Sequence, residues 1–155
     1  MKYLTKFIPT IEKVSDLSKK LVSKKFYLSE ENRTEEFSVV MVNLYFNGYR
    51  ECEFFEIGEW SGLLGFVDII RGWKADLFFK IWDKDIWNHS LVREIDCLIE
   101  STMKEFGIKR LSLQTPDSYM VKLAKRHGFK QEGILKNSYK WDDKFYDIIC
   151  LARED

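Results

Sequence analysis

The sequence KRHGFKQEG, residues 125–133, contains the boundary between a helix and a strand. A basic run leads into Gly128, and the aromatic Phe129 follows directly. Glycine adopts the left-handed conformation that commonly ends a helix, and the residue after it often packs under that turn. The stretch therefore predicts a helix that ends at Gly128 and a strand that begins at Phe129.

Upstream of this boundary, apolar residues at helical spacing predict three helices, over residues 11–24, 90–106 and 116–127. Gly107 closes the second of these, and Thr115-Pro116 is a typical start for the third, with a hydroxyl cap before a proline. A further helix is predicted to begin after Ser29 or Asn32 and to end at Asn47-Gly48.

Aromatic and aliphatic runs predict strands over residues 51–57, 62–70, 73–82, 108–114, 134–141 and 145–151. Arg71-Gly72 and Asp142-Asp143 are short enough to close antiparallel hairpins. The alternation in the third strand places five residues on one face: Trp73, Ala75, Leu77, Phe79 and Ile81. Strands followed by helix, strand, helix and strand predict an α/β domain with a mixed sheet.

Length and charge restrict the class of protein. A chain of 155 residues is most simply one domain with a sizeable core. Lysine plus arginine and aspartate plus glutamate number 25 each, so no net positive field supports nucleic-acid binding. We therefore expect no nucleic-acid partner.

The cysteines and the N-terminal sequence predict a cytoplasmic protein. Cys52, Cys97 and Cys150 lack the spacing of a metal or redox motif, which is typical of free thiols in a reducing compartment. Lysine, proline and glutamate interrupt MKYLTKFIPTIEKV, so we do not expect a signal peptide. No apolar run approaches the ~20 residues that span a bilayer, so we expect no membrane association.

The C-terminal sequence, from LAKRHGF to LARED, resembles the C-terminal third of the GCN5-related N-acetyltransferases, the GNAT superfamily. It is most similar to the branch that acetylates ribosomal-protein N-termini. Six residues match that pattern in order: Arg126, Gly128, Phe129, Glu132, Gly133 and Asp147. Gly65 matches a strand glycine of the branch, and residues 90–106 match its cofactor-binding helix, so the resemblance covers residues 60–155.

The resemblance implies an α/β fold with a mixed, mostly antiparallel central sheet flanked by helices. It also implies a V-shaped groove between the central strands, where residues 77–81 diverge from residues 108–113. Residues 1–155 would form a single GNAT-like domain, in which 1–60 is a helical acceptor-side region and 60–155 is the cofactor-side core.

The resemblance further implies acetyl-coenzyme A, whose pyrophosphate would rest on backbone N–H groups at a helix N-terminus. The branch reads tryptophan, glycine, basic, glycine, apolar, alanine, any residue, glutamate, where this chain reads WNHSLVRE, residues 87–94. Asn88 and Ser90 replace the two glycines, and both residue types can cap a helix. The cofactor-binding residues implied are Phe79, Ile81, Trp87, Asn88, His89, Ser90, Leu91, Val92 and Asp117.

Acetyl transfer needs a base for the amine and an acid for the departing thiolate, because a lysine-type amine has a pKa of ~10.4. The acid tyrosine usual in the family would fall at Ala124. Asp76 is a candidate base and Tyr119, one turn earlier than Ala124, a candidate acid. The alternatives are a solvent-facing strand carboxylate and a surface aromatic, since neither residue follows from a motif match.

Two functions therefore stay open at this point. The first is a GNAT N-acyltransferase that carries an acetyl group from acetyl-coenzyme A to an amine, either of a small molecule or of a protein N-terminus. The alternative is a catalytically degenerate GNAT-fold protein that acts as a binding or structural module. We expect no metal site, and a homodimer is compatible with the sequence.

Overall fold

The computed structural model describes residues 1–27, 39, 42, 43, 46, 48 and 50–155. Ten regular elements, in chain order, occupy these residues: β1 (Leu4–Lys6), α1 (Ile11–Ser23), β2 (Glu53–Ile57), β3 (Gly62–Ile70), β4 (Lys74–Ile81), α2 (His89–Phe106), β5 (Arg110–Thr115), α3 (Ser118–Arg126), β6 (Lys130–Trp141) and β7 (Lys144–Glu154). A 3₁₀ turn at Lys84–Ile86 precedes α2.

The strands form one seven-stranded sheet in the order β1-β2-β3-β4-β5-β7-β6. Pairing is antiparallel between β1 and β2, β2 and β3, β3 and β4, and β6 and β7, whereas β4 and β5 run parallel. The predicted mixed, mostly antiparallel sheet flanked by helices is confirmed. Only three residues of each strand pair between β4 and β5, from Lys74↔Arg110 to Asp76↔Ser112. Such short pairing is what diverging strands require, and the groove itself stays a prediction.

The chain clusters into two compact units. The first comprises Met1–Ile8, Arg50–Ser112 and Arg153–Asp155. Its core is built on β3, which is buried along most of its length and pairs with β2 on one edge and β4 on the other. The apolar stripe of α2 contributes Leu91, Ile95 and Ile99, each 0% exposed. Full burial of such a side chain stabilises a fold by about 1.5–3 kcal/mol.

The second unit comprises Pro9–Tyr49 and Leu113–Ala152, with the description limited as above. Here α3 buries Met120, Leu123 and Ala124. The predicted boundary after α3 is confirmed, since Gly128 has φ +82° and Phe129 is only 3% exposed. The Phe129 N–H donates to the Ala124 carbonyl at 3.1 Å, which ties the start of the strand to the end of the helix.

The helix starts show one wrong prediction. Asp117, and not Thr115, is the N-cap of α3, because its carboxylate accepts the Tyr119 N–H at 2.9 Å. Pro116 consequently precedes the cap instead of opening the helix. The Thr115 hydroxyl oxygen accepts the Asp117 N–H at 3.1 Å and so shapes the turn before the helix.

Two further differences concern the N-terminal half. The prediction places Trp73 in the strand, on one face with Ala75, but Trp73 lies in the turn before β4 and is 57% exposed. Strand β1 was not predicted, since its three residues are strand only through their pairing with β2. Most of the helix predicted after Ser29 or Asn32 lies outside the described residues.

Candidate functional site

Strand β4 leads to the predicted cofactor turn and carries two of the predicted cofactor-binding residues on its buried face. Phe79 and Ile81 are 3% and 6% exposed, and they belong to the core. The Phe79 ring makes an edge contact with Trp87, with 6.3 Å between ring centroids. The Trp87 indole Nε1 is buried and has no hydrogen-bond partner among the described residues. Trp87 therefore fixes the start of the turn by packing.

The loop after β4 is held by the turn between β2 and β3. The Ser61 carbonyl accepts the N–H groups of Trp82 and Asp83, both at 3.1 Å. The Ser61 hydroxyl also donates to the Asp83 carboxylate at 3.3 Å, and the same carboxylate accepts the Asp85 N–H at 3.1 Å. These bonds give the loop a defined path into α2.

Asn88, which stands where the related branch has a glycine, is the N-cap of α2. Its side-chain Oδ1 accepts the Leu91 N–H at 3.0 Å, and its Nδ2 donates to the Ile86 carbonyl at 3.1 Å. Its backbone carbonyl accepts the Val92 N–H at 3.2 Å. The amide side chain is therefore engaged within its own turn.

His89 and Ser90 are the first two residues of α2, and both are exposed. Neither of their backbone N–H groups meets a hydrogen-bond acceptor in the described part of the chain. The first N–H groups of a helix lack intrahelical partners, and the dipole of an 18-residue helix favours an anion beside them. The start of α2 can thus accept a phosphate group.

The other predicted residues of this turn support its position. Leu91 is 0% exposed and Val92 is half-buried, so both anchor the first turn of α2 to the first unit.

Within the described residues, no group of three or more histidine, cysteine, aspartate or glutamate side chains could hold a metal ion. No described helix has the length and apolar composition of a membrane-spanning helix.

Glu94, in the second turn of α2, holds the N-terminal residues that lead into β1. Its carboxylate accepts the backbone N–H groups of Lys2, Tyr3 and Leu4, at 2.7, 2.8 and 3.2 Å. Desolvation raises the pKa of Glu94, but the hydrogen bonds from Tyr3, Lys2 and Leu4 outweigh it, and the net pKa lies below the ordinary 4.5. Sequence reasoning matched Glu94 to a motif and missed this role.

Asp76, the predicted base, is the last residue of β4 that pairs with β5. It lies on the exposed face of the strand. Partial desolvation of its carboxyl raises the pKa of Asp76 above the ordinary 3.8, and the negative charge of Asp68 adds to this rise. Lys74 and Arg110 act in the opposite direction without cancelling it. The carboxylate is therefore a stronger base than an ordinary aspartate.

In the second unit, the Asp117 carboxylate accepts the backbone N–H of Tyr119 at the start of α3. The charge of Asp117 also acts on Tyr27: burial, followed by this negative charge, raises the pKa of Tyr27 to about 12. A tyrosine with this pKa keeps its proton at neutral pH and can act as a hydrogen-bond donor. No sequence signal pointed to Tyr27, because only the fold brings it near Asp117.

The fold is shared with solved acetyltransferases. Spermidine N-acetyltransferase from Vibrio cholerae, in complex with CoA and spermine, superposes with a TM-score of 0.74 at 14% identity over 99% of this chain and 96% of that chain. The acetyltransferase from Salmonella typhimurium that modifies the N-terminal serine of ribosomal protein L7/L12 gives a TM-score of 0.70 at 18% identity, over 100% and 96%. The predicted GNAT fold is thereby confirmed.

A third solved structure with this fold is a microcin C7 self-immunity acetyltransferase in complex with acetyl-CoA and AMP. Its TM-score is 0.70 at 17% identity, with 100% of this chain and 94% of that chain covered. No protein-family model matches the sequence, and no curated protein is similar to it by sequence. The likeness is therefore one of fold.

Proposed function

We propose that this GNAT-fold chain transfers an acetyl group from acetyl-coenzyme A to an amine. The observation that carries the proposal is the start of α2, where His89 and Ser90 are exposed residues whose N–H groups have no acceptor among the described residues. Solved proteins of this fold bind CoA or acetyl-CoA. An anion-binding helix start that follows β4 is what the pyrophosphate of such a cofactor requires.

The two residues that replace the motif glycines are compatible with this ligand. The Asn88 amide caps the helix and bonds to Ile86, so its polar atoms satisfy the turn itself. The Ser90 hydroxyl is on an exposed residue of the first turn, where it can add a donor for a phosphate oxygen. His89, also exposed, can add positive charge when it is protonated. His89 and Ser90 would hold the pyrophosphate, and Asn88 would fix the turn that carries them.

Bound acetyl-coenzyme A would supply the acetyl thioester, and side chains of the protein would accept the proton of the amine and donate a proton to the sulfur. We assign the base to Asp76, whose raised pKa makes it a better acceptor for the proton of the amine. We assign the acid to Tyr119 and name Tyr27 as the alternative donor, because a phenol keeps its proton at neutral pH and can donate it. The acetyl group would pass to the amine nitrogen, and the sulfur would receive the proton.

The acceptor belongs to the class of primary amines. The solved proteins of this fold include one named for spermidine and one that modifies an N-terminal serine. Both acceptors are primary amines, and we extend that class to this chain, with a small molecule or a protein N-terminus as acceptor and the cytoplasm as compartment.

The test is a transfer assay with acetyl-coenzyme A and a panel of amines, in which the released thiol is measured. The panel contains spermidine, free amino acids, and peptides with an unblocked or a blocked N-terminus. We expect amine-dependent thiol release from at least one unblocked acceptor, and loss of that release in Asp76→Asn. Absence of release across the panel, together with normal coenzyme A binding, would contradict the transfer reaction.

A further inference from the structure

We infer that Glu94 is a positioning residue for the cofactor turn: it ties the first turns of α2 to strand β1 and so holds the His89 and Ser90 N–H groups in place. The inference rests on the proposed function for its ligand, coenzyme A. The Glu94 carboxylate accepts three consecutive backbone N–H groups from a distant part of the chain.

The position of Glu94 on the helix gives these contacts their effect. Glu94 follows Ser90 by four residues, so the two lie on the same side of α2, one turn apart. Side chains on a helix lean toward its N-terminus, and the Glu94 carboxylate is therefore directed toward the turn that carries the exposed N–H groups. The hydrogen bonds of Glu94 therefore act directly on the position of the first turn of α2.

The strand that Glu94 holds is itself fixed to the sheet. Leu4 and Lys6 pair with Ile57 and Phe55 of β2, and the Gly58 N–H donates to the Tyr3 carbonyl at 2.7 Å. Since β1 is the outer strand of the sheet, an N–H group that points away from β2 needs another acceptor. Glu94 supplies one for Leu4, the first residue of β1, and for Lys2 and Tyr3 directly before it. The link therefore runs from the sheet through β1 to α2.

The opposite side of the helix is fixed by apolar packing. Leu91 and Ile95 are 0% exposed, and they hold the inward face of α2 in the core of the first unit. Apolar contacts of this kind resist separation but allow small rotations and slides. Three directional hydrogen bonds to a charged group restrict those motions. Glu94 thus fixes the orientation of the N–H groups at the start of α2, whereas Leu91 and Ile95 fix how deeply the helix packs into the core.

Two variants and a matched control test the inference. Glu94→Ala removes the acceptor, Glu94→Gln keeps one acceptor oxygen, and Glu105→Ala removes an exposed glutamate from the last turn of the same helix. We expect Glu94→Ala to weaken coenzyme A binding about 10-fold at a temperature where the variant is fully folded, since small misplacements of binding groups have effects of this size. The coenzyme A affinity of Glu94→Gln should stay within about 3-fold of that of the parent. Glu105→Ala should bind coenzyme A with the affinity of the parent.

Amide hydrogen exchange without ligand gives a second readout that does not depend on the proposed function. Glu94→Ala should raise exchange about 5-fold or more at Leu91 and Val92, and leave Ile99 in the middle of the helix unchanged. Equal acceleration at all three would mean general destabilisation and overturn the inference, as would coenzyme A affinity that is unchanged in Glu94→Ala. If the parent does not bind coenzyme A, the proposed function fails, and unchanged exchange at Leu91 and Val92 would then overturn the positioning role as well.

Discussion

The side-chain oxygen of Asn88 accepts the backbone N–H of Leu91 at 3.0 Å, so the residue that stands at the position of a motif glycine caps α2. Glycine at this position would allow a phosphate to approach but would leave that N–H without an intrahelical acceptor. The start of α2 is thus a capped turn in this chain. The next two residues, His89 and Ser90, are exposed, and their N–H groups have no acceptor among the described residues.

The first prediction distinguishes the roles of Asn88 and Ser90, the two residues that stand at the positions of motif glycines. Asn88→Ala should lower the free energy of unfolding by about 1 kcal/mol and Asn88→Gly by a few tenths, as measured by urea denaturation. Coenzyme A affinity should change little in Asn88→Gly, because the side chain is engaged in its own turn. Ser90→Gly should weaken binding about 10-fold, the effect of losing a hydrogen bond to a charged group. Stronger binding in the double variant Asn88→Gly/Ser90→Gly would mean that both side chains only obstruct the site.

Gly65 should not tolerate a side chain. A Cβ atom there would lie 2.4 Å from two atoms of the Phe54 ring, and Phe54 is itself buried. We expect Gly65→Ala to cost about 1–3 kcal/mol through overpacking. Gly133→Ala is the matched control, because a Cβ atom at Gly133 meets no neighbour within 4 Å. Its free energy of unfolding should stay within about 0.5 kcal/mol of the parent. Equal loss in the two variants would argue against the packing of Phe54 on Gly65.

Glu94 should make stability depend on pH in the acid range. Its folded-state pKa is below the ordinary 4.5, so its charged form is favoured by folding. The contribution is therefore complete above about pH 4.5 and is lost as the pH falls through the lower folded-state pKa. The difference in free energy of unfolding between the parent and Glu94→Gln should be constant near neutral pH and shrink below this value. A difference that does not vary with pH would show that the charge of Glu94 contributes nothing.

Asp76 should control the acid limb of the activity profile. Asp76→Asn should reduce kcat about 100-fold or more with coenzyme A affinity retained, because the variant cannot accept the proton of the amine. Asp68 provides the control, since its negative charge raises the pKa of Asp76. Asp68→Asn should move the acid limb to lower pH and leave the plateau rate near that of the parent. An unchanged profile in Asp68→Asn would remove Asp76 from the catalytic role.

Most of the fold could be predicted because local patterns agree with the final packing. Gly128 adopts the positive φ that its position after a basic helix end predicts, and β3 matches its apolar run from Gly62 to Ile70. Strand β1 could not be predicted, because its three residues become strand only through pairing with residues far along the chain. The cap of α3 was misplaced by two residues because Thr115 and Asp117 are both good capping residues.

The candidate site was predicted less completely than the fold. The motif spacing located the turn at residues 87–94, but the spacing does not say whether Asn88 points outward or caps the helix. The triple contact of Glu94 depends on where β1 lies, and the approach of Tyr27 to Asp117 depends on the fold of the second unit. These relationships join residues that are distant in sequence, and no local pattern encodes them.

The binding of acetyl-coenzyme A tests the account most directly, and a thermal unfolding series with increasing ligand measures it. Ligand at about 100 times its Kd should add roughly 2.7 kcal/mol of stability. For a domain of this size, the Tm should rise by roughly 5–10 °C. Titration calorimetry should give one site per chain, with a Kd about 10-fold weaker in Ser90→Gly. No rise in Tm at about 1 mM ligand and no heat of binding would contradict the account. The chain would then keep the GNAT fold without its cofactor.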